Sequence, residues 1–290
     1  MTGQLHLGCP VWACPEWVGD LYRSTNRRTW LKDYSSVFNT VEGNSSFYAL
    51  PSPDVVRNWA RETMPGFKFS LKFPREITHD AQLVGAHQTS LLFFELLQVL
   101  ADEERLGPTF LQLPPSFSGG SIPQLRSYLK AIPREFPIAV EARHADFFDD
   151  QEYERQFDDV LTESQCDRVL FDSRALFSRP ADDAIEKVSQ SRKPRSPLRH
   201  TVTYRHPFVR FVGRNRIELA APWIEEWADV VAKWIKQGLA PYVFTHAPDD
   251  AHAPRFAETF HAAVRNRLPD LPPLEPWPGR QRPRQLHLFS

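Results

Sequence analysis

The sequence predicts a closed (β/α)8 barrel of the TIM type, and three observations predict it. Eight short apolar runs recur along the chain. Helix-period segments lie between them, and such alternation implies parallel strands joined by right-handed crossovers. Eight such units in about 250 residues match the size of that barrel. The competing arrangement, an open doubly wound sheet, calls for a glycine-rich phosphate turn after an early strand. The sequence has none.

The first run is "LHLGCPVW" (5–12). The helical segment "RRTWLKDYSS" leads to "VFNTVEGN" (37–44). "SPDVVRNWARET" follows, with Ser52 or Asp54 as its N-cap, and then "FKFSLKFP" (67–74). The longest helical pattern, "LVGAHQTSLLFFELLQVLADEE", precedes "TFLQLPPS" (109–116). "SIPQLRSYLKAI" leads to "IAVEARH" (138–144), and "DDQEYERQFDDVLTES" to "RVLFDS" (168–173). "DDAIEKVSQ" comes before "FVRFVG" (208–213). "APWIEEWADVVAKWIKQG" stops at Gly238, ahead of "PYVFTHA" (241–247), and "APRFAETFHAAVRNRL" closes the series. The runs are rich in Val, Phe, Leu and Ile, as buried strands are. The barrel is expected over residues 1–268. "PDLPPLEPWPGRQRPR" then reads as a proline-stiffened linker, so residues 269–290 are expected to form a disordered or extended tail.

With 41% apolar and 24% charged residues the composition is that of a globular protein. A net charge of −1 excludes a generic polyanion binder. The three cysteines, Cys9, Cys14 and Cys166, form no C-x-x-C pair, which points to a reducing compartment and away from a zinc knuckle. The N-terminus has no signal-peptide pattern, and no apolar stretch is long enough to span a membrane. A cytoplasmic protein is expected. The charge is uneven: from Lys187 to Ile217 there are nine Lys or Arg and no Asp or Glu. Such a stretch is either a solvated connector or a patch that faces a polyanion.

In a (β/α)8 barrel the chemistry sits at the C-terminal ends of the strands. That filter selects Trp12, Glu42, Asn44, Lys72, His79, Gln112, Glu141, Arg143, His144, Asp172, Arg210, Thr245, His246 and Asp249. Polar groups at buried strand ends must be paired or wet, and so many at one mouth argue for a pocket. Lys72, Arg143 and Arg210 form an expected electropositive floor for phosphate or carboxylate. Glu141 is the expected general base, with Glu42 or Asp172 as its partner. Trp12, Trp17, Phe47 and Tyr48 wall the mouth, either to stack a ring or to cover the barrel top. A divalent metal held by His79, Glu141, Asp172 and His246 is a weaker alternative, because no H-x-H or H-E-x-x-H motif supports it. No G-x-S-x-G elbow is present, and Cys9 has no activating base nearby in sequence.

The stretches "LGCPVWACPEWVGDLY", "VEGNSSFYALP…W…PGFKFSLKFPREITH", "FLQLPPSF" and "AVEARHADFF" resemble the family called domain of unknown function 72, or YecE-like. The resemblance spans most of residues 5–268. It implies a TIM-type barrel and no assigned activity. Its pattern marks Glu42, Asn44, Phe47, Tyr48, Lys72, His79, Gln112, Glu141 and Arg143. The later part departs from it: Val212 stands where the family has a histidine, and Thr245 and His246 stand where it has two asparagines.

Two enzyme classes fit these residues. The first is a phosphate-ester hydrolase, of phosphodiesterase or nuclease type, acting on nucleic acid in DNA maintenance. The second is a small-molecule isomerase or lyase acting on an anionic sugar or acid. A non-catalytic binding protein is the third reading. The tail bears on the choice. "QLHLF" has the Q-L-x-L-F form of peptides that dock on the bacterial sliding clamp, with Gln285 meeting backbone groups and Leu286, Leu288 and Phe289 filling apolar pockets.

Overall fold

A computed structural model describes residues 3–281. Each of the eight apolar runs contains a strand: β1 (His6–Gly8), β2 (Thr40–Gly43), β3 (Lys68–Leu71), β4 (Thr109–Gln112), β5 (Ile138–Glu141), β6 (Asp167–Asp172), β7 (Phe208–Val212) and β8 (Tyr242–His246). All the ladders are parallel. The helices are α1 (Trp30–Ser35), α2 (Pro53–Glu62), α3 (His87–Asp102), α4 (Ile122–Ala131), α5 (Asp146–Asp149), α6 (Gln151–Glu163), α7 (Ala184–Arg192), α8 (Ala221–Lys236) and α9 (Ala253–Arg267). Side chains set several boundaries. Ser52 caps α2, Asp150 caps α6 and Asp183 caps α7, each accepting from a backbone N–H of the first turn. Gly238, at φ +84°, ends α8 in the left-handed region.

The expected closed eight-stranded barrel is not formed. Six strands make one curled sheet in the order β1-β8-β7-β6-β5-β4, and β2-β3 form a separate pair. The fold is an open, curled α/β arrangement, and local chemistry explains both breaks. Between β1 and β2 one backbone bond is made, from Glu42 N to Cys9 O at 3.1 Å, and side chains supply the other links. The Asn39 amide accepts from Leu7 N at 2.8 Å and donates to Leu5 O at 2.8 Å. The Tyr34 hydroxyl accepts from Cys9 N at 2.7 Å and donates to Thr40 O at 3.0 Å. Gly8 permits this approach, since a Cβ there would lie 2.0 Å from Thr40 O. Between β3 and β4 only the isolated bridges Phe69–Leu106 and Lys72–Phe110 occur. From one bridge to the next, the first strand advances three residues and the second four, so Gly107–Thr109 carries a bulge. Pro108 within it has no N–H to donate.

Side chains from β4 to β8 fill the concave side of the sheet. Phe110, Ala139, Val169, Phe208, Tyr242 and Phe244 form a buried apolar plug. Residues two positions further along several of these strands reach its upper surface, because side chains on one face recur with period two. Those residues include Gln112, Glu141, Phe171, Arg210 and His246.

One helix departs from the expected alternation. α7 packs at the C-terminal ends of β6–β8 instead of on the outside. Glu186 pairs there with buried Arg214 and accepts from Asn215 N at 3.0 Å, both just after β7. Ser173, just after β6, donates to Pro194 O at 2.7 Å. The run 195–207 then returns to β7 without a helix.

Residues 269–281, read from sequence as a linker, lie against the body. Trp277 is buried, and Gly279 N donates to Leu21 O at 3.3 Å. Arg280 pairs with Asp20 and Glu258. A cavity of about 220 Å³ lies under this segment, at the end opposite the strand C-termini. The peptide Gln285–Phe289 lies outside the described residues. Among the described residues no helix is long and apolar enough to cross a membrane.

Candidate functional site

The strand-end residues converge on one buried charge cluster above the plug. Arg210 of β7 donates to Glu42 of β2 through Nε at 2.8 Å and NH2 at 2.7 Å. Its NH1 donates to Glu141 of β5 at 2.6 Å. Arg143 pairs with the other Glu141 oxygen. Asn44 donates to Glu42 at 2.8 Å and to Pro10 O at 3.0 Å, which fixes the carboxylate plane. His246 Nε2 lies 3.2 Å from Glu42.

This pairing decides which groups titrate. Burial alone would raise the Glu42 pKa, but the Arg210 charge, with the hydrogen bond to His246, outweighs it and holds Glu42 well below the ordinary carboxylate range. Glu141 is also lowered, with Arg143 and Arg210 overcoming its burial. Both carboxylates are therefore fixed anions at neutral pH. Glu141 does not have the raised pKa of a general base, and its oxygens are taken by guanidinium groups. Burial lowers His246 to about 4 despite Glu42, so its ring is neutral. Burial and Lys72 lower His79 to about 4.

Lys72 and Arg143 meet at one acceptor. Gln112 Oε1 accepts from Lys72 Nζ at 3.0 Å and from Arg143 NH2 at 3.3 Å. Lys72 Nζ sits 4.0 Å from the Phe47 ring centroid, and the Arg143 guanidinium stacks 4.6 Å over Phe171. Arg143 Nε is buried and has no partner. Burial and the nearby Arg210 bring the Lys72 pKa down to about 7, against the pull of Glu141 and Glu42.

Sequence reasoning missed Lys193. It follows α7, and the cap position of that helix brings its ammonium close enough to feel Arg210, Glu42, Arg143 and Glu141. Burial leads these influences and lowers its pKa to about 8. It makes no ion pair or side-chain hydrogen bond among the described residues. No strand-end pattern could point to it, because it sits at a helix end some twenty residues from any strand C-terminus on its N-terminal side. Phe171, the ring under Arg143, was missed because it reads as an ordinary strand residue.

Other expectations are corrected. Arg210 is not part of an open anion floor, since Glu42 and Glu141 occupy its donors. Asp172 is not at the mouth. It faces α8, where Trp227 Nε1 donates to it at 2.8 Å and Arg174 pairs with it. The metal set His79, Glu141, Asp172 and His246 does not assemble. Among the described residues no group of three or more His, Cys, Asp or Glu could hold a metal ion. Thr245 donates to the backbone carbonyl of Ala253 at 3.2 Å, and Asp249 caps the turn before α9. His144 lies with Asp146 away from the cluster. Trp17 is in the core.

Trp12 packs edge-on against Trp59 at 5.0 Å and walls a cavity of about 150 Å³ with Pro10, Glu42 and Asn44. Phe47 is buried under Lys72, and Tyr48, 81% exposed, stands edge-on to it at 5.1 Å. The basic run 187–217 does not form one patch. Arg199 pairs with Glu154, Arg214 with Glu186, Arg216 with Glu218, and Arg210 with the buried carboxylates. Four of the nine cations of the run are thus paired with carboxylates.

The family described as "Protein of unknown function DUF72" matches residues 6–282. The UPF0759 protein YecE of Escherichia coli K12 is 35% identical over 268 residues, which cover 92% of this chain and 95% of that protein. Its O157:H7 counterpart is 34% identical over the same share. A DUF72 family protein from Thermotoga maritima MSB8 superposes with a TM-score of 0.68 at 23% identity, covering 90% of this chain and 99% of that one. One from Enterococcus faecalis V583 gives 0.67 at 17% identity, covering 94% and 99%. The match of fold, length and sequence shows that the chain belongs to the DUF72 family.

Proposed function

We propose that the strand C-termini form the anion site of a small-molecule enzyme, of isomerase or lyase type, acting on a compound that carries a phosphate or carboxylate. One observation carries this reading: the cations Lys72, Arg143 and Lys193 outnumber the carboxylates left to balance them. Glu42 and Glu141 are shared first with Arg210. The surplus donors are Arg143 Nε, which has no partner, and two lysines that lack carboxylate partners. A buried unpaired cation is unfavourable, and a bound anion relieves it.

The test is calorimetric titration with inorganic phosphate. Arg143→Ala is expected to weaken binding by roughly 1.5–3 kcal/mol, the scale of a hydrogen bond to a charged group. Unchanged affinity in that variant removes Arg143 from the site.

The terminal peptide supports a second, separable reading, that the chain docks on the bacterial sliding clamp through Gln285, Leu286, Leu288 and Phe289. This reading rests on the Q-L-x-L-F form alone and would place the protein in DNA maintenance. Titration of the clamp with the full chain, beside a chain ending at Arg284, tests it. Micromolar binding lost on truncation supports docking, and no binding by the full chain refutes it.

A further inference from the structure

The ammonium of Lys72 is held unlike the other charged groups of the cluster. Its one hydrogen bond goes to a neutral amide oxygen, Gln112 Oε1, at 3.0 Å. No carboxylate lies within ion-pair distance of it among the described residues. Phe47 lies against it, with the ring centroid 4.0 Å from Nζ, and Phe110 is 5.8 Å away. Arg143 shares its only acceptor. A lysine that is desolvated, walled by aromatic rings and set beside other cations is an activated amine nucleophile.

We propose that Lys72 Nζ forms an imine with the carbonyl carbon of a small 2-oxo acid or carbonyl phosphate whose anionic group is held by Arg143 and Lys193. Such an imine depends on the mouth binding that anion. The neutral amine adds to the carbonyl carbon, and the C–N bond forms as the C=O π bond opens. A proton from nitrogen passes to the oxygen, giving a carbinolamine. The C–O bond then breaks. The oxygen leaves as water with the second nitrogen proton, and the C=N bond forms. No oxidant or reductant takes part. Once protonated, the iminium withdraws electrons from the adjacent carbon, which is the chemistry a lyase or isomerase needs. Gln112 Oε1, which now accepts from the amine, is placed to accept from the iminium N–H instead.

Lys72 is distinguished by its surroundings from the surface lysines, and this makes the proposal testable on the wild-type chain. At pH 7.0, where its pKa of about 7 leaves half the amine neutral, the full chain is incubated with glyoxylate and cyanoborohydride. Cyanoborohydride reduces any imine to a stable secondary amine, and peptide mass mapping locates it. Lys72 is expected to be labelled at least about tenfold faster than exposed lysines such as Lys236, as a desolvated amine should be. Inorganic phosphate should slow that label and leave the surface labels unchanged. Lys72→Arg should abolish it. Equal labelling of all lysines, or labelling that spares Lys72, overturns the imine. Calorimetry with phosphate alone keeps the two readings apart. Phosphate bound with Lys72 unlabelled refutes the imine and leaves the anion site. Lys72 labelled with no phosphate bound supports the imine and refutes the phosphate reading.

Discussion

Arg210 and Glu42, 168 positions apart in sequence, form a two-point ion pair above the apolar plug, at 2.8 and 2.7 Å. The pair joins β7 of the six-stranded sheet to β2 of the separate two-stranded pair. It holds the curl of the fold together and also fixes the charge of the site.

Removing one partner of such a pair leaves a buried charge alone. Arg210→Met is therefore expected to destabilise the fold by about 3–5 kcal/mol, read from urea unfolding. A loss under 1 kcal/mol would show that the pair does not bind the two sheets.

The β1–β2 break makes a second expectation. Tyr34→Phe removes the hydroxyl that serves both Cys9 N and Thr40 O, and should cost about 1–3 kcal/mol by the same measurement. Gly8→Ala should cost more, because its Cβ meets the Thr40 carbonyl at 2.0 Å and that carbonyl is backbone.

Much of this was legible in the sequence, and the limits have physical causes. The apolar runs located the strands, since buried strands are read by composition and length. Closure was not legible. It failed where the Tyr34 hydroxyl and the Asn39 amide replace backbone bonds and where Pro108 interrupts a ladder, and no periodicity encodes those events. Glu42, Glu141, Arg143, Lys72 and Gln112 were found because strand C-termini face one way. Asp172 was misplaced because side chains alternate along a strand, and one residue of register turns Phe171 inward and Asp172 toward α8. Lys193 was missed because α7 lies over the strand ends, a tertiary choice that leaves no mark on its own pattern.

His246 contributes to the pH dependence of stability, beside His79 and His6, which burial also lowers. The folded pKa of His246 is about 4 against 6.5 unfolded. Between those values the unfolded chain binds a proton that the folded chain does not, so stability falls as the pH drops from 6.5 toward 4. His246→Gln, which keeps a donor for Glu42, should reduce that slope by about 1.4 kcal/mol per pH unit in mid-window. Thermal unfolding of both proteins across pH 4–7 checks it, and parallel curves would mean that His246 is not the buried neutral ring described.

The lysines make the opposite demand on ligand affinity. With folded pKa values of about 7 and about 8, Lys72 and Lys193 lose their charge as pH rises through neutrality. The affinity for sulfate, which stays a dianion throughout, should therefore fall from pH 6.5 to 9.5. Lys193→Ala should remove the upper part of that fall, and an affinity that does not change over this range would exclude both lysines from the anion site.

The claim that the strand C-termini hold an anion is tested most directly by a crystal structure grown with tungstate and located by anomalous scattering. The account predicts tungsten at the mouth, with tungstate oxygens within hydrogen-bond distance of Arg143 Nε and of at least one of Lys72 and Lys193. Tungsten found only on the outer surface, with the Lys72–Gln112–Arg143 cluster occupied by nothing but water, would contradict it.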